Sequence, residues 1–300
     1  MTSSIGWEYY RTFLAVLAEG SLSGAARALG ITQPTVGRHI SALEASFKQA
    51  LFTRSQTGLL PTEAALAIRG HAELMRSTAA ALERMATGFE GGVTGTVRVS
   101  ASEVIGVEVL PPMLAQLRQV HPQLKIELVP TNRVQDLLQR EADIAVRMMP
   151  PKQDLLVARR AGEVELGLYA HLDYLQQHGM PVTPADLTRH ALIGFDEETP
   201  FLRAAKAKLP VWTREAFSFR IDSDVGQLAL IRAGCGIGVC QSALARRDAR
   251  LLRVLPEHFA YKLDTWVTMH EDLRGSPRYK VTFDALVLCL QAHTEPVPES

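Results

Sequence analysis

Residues 32 to 47 carry the pattern that most restricts the fold of this chain. Thr32 can cap a helix, and Pro34 suits the first helical turn because proline lacks the backbone donor that is unsatisfied there. The next residues form one apolar stripe at helical spacing, made of Val36, Ile40, Leu43 and Phe47. The opposite face holds short side chains around one arginine: Pro34, Thr35, Arg38, Ser41 and Ala42. We therefore expect a helix with one buried side, whose outer face lets its backbone approach a flat partner.

Two shorter helices are predicted before this one, over residues 7–19 and 22–29. Gly20 and Gly30 can adopt the conformation that ends a helix, and Ser21 or Ser23 can cap the second helix. Residues 51–61 then suggest a short hairpin, or wing. Such an arrangement is a winged helix-turn-helix, whose recognition helix fits the major groove of DNA, where arginine can pair with guanine.

A long helix is predicted from residue 63 to about residue 87, with Thr62 as its cap. Apolar residues lie seven apart at positions 68, 75, 82 and 89, and alanines fall between them. This spacing favours close pairing of two helices, so we predict a dimerisation seam made of Ile68, Ala72, Met75, Ala79, Leu82 and Ala86. The alternative is a helix packed on its own domain.

After glycines at 91, 92 and 95, strands alternate with helices. Strands are predicted over 96–101, 124–128, 142–148, 164–169, 192–195, 217–221, 236–239 and 265–269. Helices are predicted over 111–120, 134–139, 224–233 and 276–292. This order predicts a parallel sheet with helices on both faces.

Charge and composition limit the class of protein. The 32 basic and 32 acidic residues cancel, and residues 1–60 carry a net charge of only +2, so the DNA prediction rests on pattern and not on charge. Three cysteines argue against a disulfide-stapled secreted fold. No signal peptide is recognisable, and no apolar run approaches the roughly 20 residues of a membrane span. We expect a cytoplasmic protein without a metal or a cofactor.

Several short runs match one known family. In the N-terminal part they are Gly20-Ser21-Leu22, residues 25–29, Thr32-Gln33-Pro34-Thr35-Val36, Ile40-Ser41-Ala42-Leu43-Glu44, residues 51–54 and residues 61–64. In the C-terminal part they are Leu110-Pro111, His121-Pro122, residues 142–145 and residues 234–238. Through these runs essentially the whole chain resembles the LysR-type transcriptional regulators. It departs from the family at Leu22, Gly37 and Ala65, where phenylalanine, serine and glycine are usual.

The resemblance implies an α/β protein in three parts. These are an all-α winged helix-turn-helix over residues 1–60, a linker and dimerisation helix over 61–90, and an effector-binding domain over 91–300. The last part would have the two-lobed fold of periplasmic binding proteins, with lobe one at 93–161 plus 268–300 and lobe two at 162–267. The implied function is transcription regulation in response to a small molecule held between the lobes.

The resemblance also implies partners. It implies a homodimer or homotetramer, whose linker helices pair antiparallel, on an interrupted inverted repeat of double-stranded DNA at a promoter. RNA polymerase is a further candidate partner, and no membrane is expected.

Candidate DNA-binding residues come from the recognition helix and the wing. We assign Gln33, Pro34, Thr35, Arg38 and Ser41 to the groove and Thr32 and Arg54 to phosphates. His39 sits on the helix flank, where it could touch a phosphate or rest on the core. The alternative for Arg38 is an ordinary solvated arginine.

Candidate effector-binding residues follow the predicted strands, because open parallel sheets bind ligands beyond the carboxyl ends of their strands. They are Ser100, Ala101, Ser102, Thr131, Asn132, Arg147, Phe195, Asp196 and Ser223. Serine hydroxyls and free amides at helix starts suit an anion, so the effector is expected to be anionic. The alternative for Ser102, Ser223 and Asp224 is simple helix capping, and Arg147 could instead pair with an acidic neighbour.

Other functions are supported less by the sequence. The glycines at 234, 236 and 238 precede a strand and do not open a helix, so they predict a turn and not a nucleotide site. Cys235 and Cys240 could form a redox pair, but they bracket a predicted buried strand. An enzyme would need a catalytic cluster that the sequence does not show. A small-molecule binding protein that uses its N-terminal helices only for assembly is the other alternative.

Overall fold

The computed structural model describes residues 5–55, 58–86, 92–132, 141–151 and 156–295. The chain divides into an N-terminal unit that ends with Ala86 and a C-terminal unit that holds the strands and helices from Gly95 onward. The helix predicted over 134–139 lies outside the described residues. Among the residues that are described, no helix is long and apolar enough to cross a membrane.

The N-terminal unit consists of three helices, a hairpin and a long helix. In chain order these are α1 (Trp7–Glu19), α2 (Leu22–Leu29), α3 (Gln33–Phe47), β1 (Phe52–Ser55), β2 (Gly58–Pro61) and α4 (Glu63–Ala86). The two strands pair antiparallel. The core lies where α1, α2 and α3 meet, around the fully buried Phe13, Val16, Ala25, Val36 and Leu43. The predicted winged helix-turn-helix is thereby confirmed.

Caps fix the helix boundaries of this unit. The Ser21 hydroxyl accepts a hydrogen bond from the backbone N of Gly24 at 3.1 Å, and Thr32 accepts one from Thr35 at 3.4 Å. Gly30 ends α2 with φ of 67°, a conformation that favours glycine. The Thr62 hydroxyl accepts from the backbone N of Ala65 at 3.2 Å and donates to the carbonyl of Ala50 at 2.8 Å. Thr62 therefore ties the start of α4 to the start of the wing.

One member of the predicted apolar stripe is not in the core. Val36, Ile40 and Leu43 are buried, but Phe47 is 38% exposed. The expectation was wrong here because Phe47 is the last residue of α3, and Lys48 leaves the helix in the left-handed conformation directly after it. The helix ends beyond the part that α1 and α2 cover.

The C-terminal unit is built on a mixed sheet. Its strands are β3 (Gly95–Ala101), β4 (Leu124–Pro130), β5 (Ile144–Arg147), β6 (Leu156–His171), β7 (Leu192–Gly194), β8 (Phe217–Arg220), β9 (Gly238–Gln241), β10 (Leu251–Val254) and β11 (Ala260–His270). Its helices are α5 (Leu110–Val120), α6 (Leu172–His178), α7 (Pro200–Lys208), α8 (Asp224–Arg232), α9 (Ser242–Ala245) and α10 (Pro277–Thr294). A π-helical turn, Ile105–Val109, leads into α5.

The strand order corrects the expectation of a parallel sheet. The order is β10-β6-β11-β5-β3-β4, with β9 also paired to β6, and β7 and β8 forming a separate parallel pair. β3 is parallel to β4 and β5, whereas β11 runs antiparallel to both β5 and β6. The segments predicted at 164–169 and 265–269 are parts of longer strands of 16 and 11 residues. The chain runs along β6 in one direction and along β11 in the opposite direction, so the two strands pair antiparallel.

The strands β6 and β11 pass through two lobes. The first lobe contains β3, β4, β5, α5 and α10, and the second contains α6 to α9 and β7 to β10. The ladder between β6 and β11 shifts register between Thr265 and Trp266, opposite Gly162. Gly162 has φ of 139°, and a Cβ there would lie 2.0 Å from the Thr294 hydroxyl oxygen. The register shift thus requires glycine at position 162. It lies where the ribbon formed by the paired strands β6 and β11 leaves the first lobe.

Candidate DNA-binding surface and ligand cavity

The outer face of α3 is exposed as predicted for a recognition helix. Gln33, Pro34, Arg38 and Ser41 are exposed, and Thr35 is half-buried. The hydroxyls of Thr32 and Thr35 lie 2.9 Å apart, and Arg38 donates from Nη2 to the Thr35 hydroxyl at 3.3 Å. No carboxylate in the described part of the chain forms an ion pair with Arg38. The threonines therefore hold the guanidinium over the helix face while leaving its remaining donors to solvent.

His39 is placed differently from the other candidate DNA-binding residues. Its Nδ1 lies 2.8 Å from the Thr12 hydroxyl, and its ring is 4.5 Å from the ring centroid of Tyr9. Both partners belong to α1. His39 therefore fastens the recognition helix to α1.

The wing carries Arg54 and is anchored by a residue that sequence reasoning did not single out. Arg54 is exposed and pairs in register with Leu59, near the hairpin tip. Glu44, in the last turns of α3, accepts hydrogen bonds at Oε1 from the backbone N of Leu51 at 2.8 Å and of Phe52 at 3.3 Å. A carboxylate that accepts two backbone donors fixes the wing relative to the recognition helix. Its sequence signal was only its place in the matched run at residues 40–44.

The candidate seam on α4 has mixed exposure. Met75 is 39% and Leu82 63% exposed, whereas Ala72 is buried and Ile68 and Ala79 are half-buried. Leu66, which the heptad analysis omitted, is 53% exposed. The side chain of Ala86 and residue 89 lie outside the described residues. Met75 and Leu82, which are seven residues apart, thus expose large apolar side chains on α4.

A cavity of about 690 Å³ lies in the C-terminal unit, beyond the carboxyl ends of β3, β4 and β5. Four of the predicted effector-binding residues line it: Ser102, Asn132, Arg147 and Phe195. Most of the rest of the lining is apolar or aromatic and includes Val104, Met148, Leu166, Phe201, Leu228, Val239, Tyr261 and Leu263. Phe201 stands edge-on to Tyr261, with ring centroids 5.5 Å apart. A mostly apolar cavity with a few polar groups is typical of a small-molecule site.

Arg147 and Ser102 form the polar end of the cavity on the first lobe. Arg147 donates from Nη2 to the Ser100 hydroxyl at 2.6 Å and from Nη1 to the Val146 carbonyl at 2.8 Å. Burial lowers the pKa of its guanidinium to about 10, so it remains charged at neutral pH. The Ser102 hydroxyl oxygen is buried and has no hydrogen-bond partner in the described protein. The pair offers a cation and an unused hydroxyl to a ligand.

The other five candidate effector residues do not line the cavity. Ser100 and Ala101 are fully buried inside β3. Ser100 is connected to the cavity through the hydrogen bond that its hydroxyl accepts from Arg147. The backbone N of Thr131 donates to the carbonyl of Ala101. Asp196 accepts a hydrogen bond at Oδ1 from Arg214 at 2.5 Å.

The fifth, Ser223, joins the two lobes. Its hydroxyl donates to Glu103 Oε2 at 2.9 Å, and its oxygen caps α8 by accepting from the backbone N of Gly226. The backbone N of Asp224 also donates to Glu103, at 3.1 Å, and Asp224 Oδ2 accepts from the Asn132 amide at 2.5 Å. Capping, the alternative considered for Ser223, is therefore observed.

A second contact between the lobes is an ion pair. Arg232, at the end of α8, donates from Nη1 and Nη2 to the two carboxylate oxygens of Glu108 at 2.8 and 2.9 Å. These hydrogen bonds hold the pKa of Glu108 below its ordinary value, against the opposing effect of burial. Two polar bridges thus hold the lobes together beside the cavity.

Two aromatic cavity residues that sequence reasoning missed come from segments it did not assign. Phe201 lies on α7 and Tyr261 on the first half of β11, and neither segment was predicted. Each shows a local signal, since Thr199 and Pro200 mark a helix start and residues 260–264 extend a predicted strand.

Cys240, one of the two candidate redox cysteines, is buried. Burial raises the pKa of the Cys240 thiol to about 12, which makes it a poor nucleophile. In the part of the chain that is described, no cluster of His, Cys, Asp or Glu has the arrangement of a metal site.

Comparison with known proteins identifies two family profiles. The LysR substrate binding domain matches residues 90–288, and the bacterial regulatory helix-turn-helix protein of the lysR family matches residues 7–66. A probable HTH-type transcriptional regulator, LtrA, of Klebsiella pneumoniae is 27% identical over 289 residues, which cover 91% of each chain.

Solved structures share the fold. The full-length virulence activator AphB of Vibrio cholerae is 23% identical, with a TM-score of 0.61 over 94% of this chain and 98% of its own. Full-length CbnR, solved in complex with its target DNA, is 19% identical, with a TM-score of 0.64 over 96% of this chain and 99% of its own.

Proposed function

This chain belongs to the LysR family of transcriptional regulators, and from that premise we propose that its effector is a small anion with an apolar body. The family binds DNA through its helix-turn-helix and small molecules through its C-terminal domain, and its members are not enzymes. The proposal concerns what the cavity takes and which residues read the DNA.

One observation carries the effector proposal: the half-buried guanidinium of Arg147 and the unused hydroxyl of Ser102 lie at one end of a mostly apolar cavity. An anion there would gain charge-assisted hydrogen bonds in a site shielded from water. The aromatic rings of Phe195, Phe201 and Tyr261 would contact the apolar body. The cavity volume suits a ligand of small-metabolite size.

The effector proposal is tested by calorimetry with pairs of carboxylates and their neutral amides, such as hexanoate and hexanamide. We expect the carboxylate of each pair to bind more tightly to the full chain, and Arg147→Met to remove that preference. Arg160→Met is the matched control, because Arg160 pairs with Asp264 away from the cavity. Equal binding of carboxylate and amide would overturn the proposal.

For DNA, we propose that Arg38 reads a base in the major groove, together with Gln33, Pro34, Thr35 and Ser41. Thr32 and Arg54 would contact phosphates. The exposed face of α3 and the positioning of Arg38 by Thr35 support this assignment. Because His39 is engaged by α1, we assign it the positioning of the helix and not a base contact.

Fluorescence anisotropy with DNA selected by the wild-type chain tests the role of Arg38. A bidentate contact to guanine contributes about 1–3 kcal/mol of discrimination, so Arg38→Ala should weaken binding roughly fivefold or more. Arg69→Ala is the control. It removes an arginine on α4 that forms an ion pair with Glu73, and it should leave the DNA affinity within about twofold of the wild-type value. Unchanged binding by Arg38→Ala would exclude the proposed contact.

We further propose the assembly and the domain limits. Two copies would pair through α4, as a homodimer or within a homotetramer, on an interrupted inverted repeat, in the cytoplasm and with RNA polymerase as a further partner. The limit at 60 is supported by the end of the wing at Pro61, and those at 161 and 267 by the ladder shift between Thr265 and Trp266, opposite Gly162. The limit at 90 lies outside the described residues.

A further inference from the structure

The second lobe places acidic groups on the cavity wall. Asp222 and Asp224 both line the cavity, at the start of α8. Asp222 accepts at Oδ1 from the backbone N of Asp196 and of Glu197, at 2.9 and 2.8 Å. Asp224 accepts at Oδ2 from the neutral amide of Asn132. The cavity therefore has carboxylates on its second-lobe side as well as the arginine on its first-lobe side.

Among the described residues, the side-chain hydrogen-bond partner of Asp224 is the neutral amide of Asn132. No Lys, Arg or His within the described ranges forms an ion pair with Asp222 or Asp224. Another carboxylate, that of Glu103, accepts a hydrogen bond from the backbone N of Asp224 at 3.1 Å. Burial, and then the charge of Glu103, raise the pKa of Asp224. A positive group in the cavity would relieve this unfavourable charge.

The two poles of the cavity are well separated. Arg147 ends β5, and Asn132, the partner of Asp224, follows β4. Since β3 lies between β5 and β4, the two backbone positions are two strand spacings apart, roughly 9–10 Å. The Arg147 guanidinium itself reaches over to the Ser100 hydroxyl on β3. Apolar residues, among them Val104 and Leu228, line the space between the poles. A ligand that contacts both poles and this apolar wall would carry an apolar body between its polar ends.

We infer that the effector is amphoteric: an amino group at Asp224 and an anionic group at Arg147, joined by an apolar spacer. The chemical class is that of ω-amino carboxylates and aminoalkyl aromatic acids. This inference rests on the proposed function, because it takes the anion site at Arg147 as given and adds the group at the other end.

Calorimetry on the full chain at pH 7 tests the inference with matched probes. The pairs are 6-aminohexanoate against hexanoate and 4-(aminomethyl)benzoate against 4-methylbenzoate. A charge-assisted pair in a shielded site corresponds to about tenfold or more in affinity, so each amino probe should bind at least about tenfold more tightly than its partner. This comparison in the wild-type chain needs no variant.

Variants locate the amino group. Asp224→Asn should abolish the preference for the amino probe and leave the affinity for the partner without the amino group unchanged. Asp196→Asn is the control, because its carboxylate pairs with Arg214 and does not line the cavity. This control should keep the preference.

The outcomes separate the two proposals. Equal or weaker binding of the amino probes in the wild-type chain, a preference that survives Asp224→Asn, or no binding of either series overturns the amphoteric effector. If hexanoate binds and Arg147→Met weakens it while the amino group adds nothing, the anion site stands alone. If Arg147→Met leaves hexanoate binding unchanged, the proposed anion site itself fails.

Discussion

At the scale of single residues, Gly37 is a helical glycine that packing does not require. A Cβ added there would meet no atom within 4 Å, and the residue lies inside α3. Because glycine in a helix costs roughly 1 kcal/mol relative to alanine, we expect Gly37→Ala to raise the free energy of unfolding by about 0.5–1 kcal/mol. Urea denaturation of the full chain measures this.

Gly30 provides the matched control for this prediction. A Cβ there would also meet nothing within 4 Å, but its φ is 67°. Gly30→Ala should therefore lower the free energy of unfolding by about 1 kcal/mol through backbone strain alone. A loss of stability in Gly37→Ala as well would contradict the open space at that position.

Sequence patterns predicted the capping residues better than the extent of burial. Ser21 and Thr32 cap α2 and α3 as expected, since a cap depends on side-chain chemistry within three residues. Phe47 shares the face of Val36, Ile40 and Leu43 but remains exposed. Periodicity reports the face on which a side chain lies, but it does not report how far the packing partners extend along the helix.

At the scale of elements, the bridge between Glu108 and Arg232 makes the joining of the lobes dependent on pH. The pKa of Glu108 is lowered in the folded chain, so its contribution to stability is present above its unfolded pKa of about 4.5. That contribution is lost as pH falls through the lowered folded value. Because the side chains are 22% and 37% exposed, we expect about 1 kcal/mol or less.

A double-mutant cycle with Glu108→Gln and Arg232→Gln, followed by urea unfolding at pH 7 and pH 3, checks this prediction. The coupling energy should be clear at pH 7 and should shrink at pH 3. The exposed pair of Lys280 and Asp284 within α10 serves as the reference, with about 0.3–0.5 kcal/mol expected at pH 7. A coupling energy that is absent at pH 7, or that is the same at pH 3 as at pH 7, would contradict this prediction.

Strand positions followed from local sequence, but strand direction did not. The strands at 96–101, 124–128 and 217–221 were placed to within a few residues, because their alternation of apolar residues is local. The antiparallel course of β6 and β11 depends on pairing between residues about one hundred positions apart. The glycine at 162 also interrupts the pattern of β6, so its first half was not recognised.

At the scale of the whole molecule, the seam on α4 predicts the oligomeric state. Leu82 is 63% exposed in the single chain and lies at heptad spacing from Met75 and Ile68. Leu82→Glu would place a charge in a helix pair that alanine layers allow to approach closely, so we expect a shift to a smaller assembly. Size-exclusion chromatography with light scattering measures the molar mass at a series of concentrations.

Val182→Glu is the control for this experiment, because Val182 is 75% exposed and lies outside α4. This variant should keep the wild-type molar mass. If Leu82→Glu also kept it across the concentration series, α4 would not be the main contact between copies.

The cavity could be predicted only in part, because it is assembled from distant segments. Residues after the strand ends, such as Ser102, Asn132 and Arg147, follow from a general rule about parallel sheets. Phe201 and Tyr261 reach the cavity only through the folding of the second lobe against the first. Asp224, on the acidic side of the cavity, was expected mainly to cap a helix. Its hydrogen bond with Asn132 joins segments that are far apart in the sequence, so local patterns could not predict it.

The ribbon of β6 and β11 also has a consequence for how such chains can diversify. Gly162 and Thr265 are neighbours in the ladder, so the chain enters and leaves the second lobe at adjacent points. The second lobe is therefore an uninterrupted insert within the first lobe, which is itself made of two separate pieces of sequence. Recombination between relatives at these two points would exchange the insert as a single cassette. The cassette would carry Asp224 together with the other cavity residues of the second lobe, while Arg147 would remain with the host.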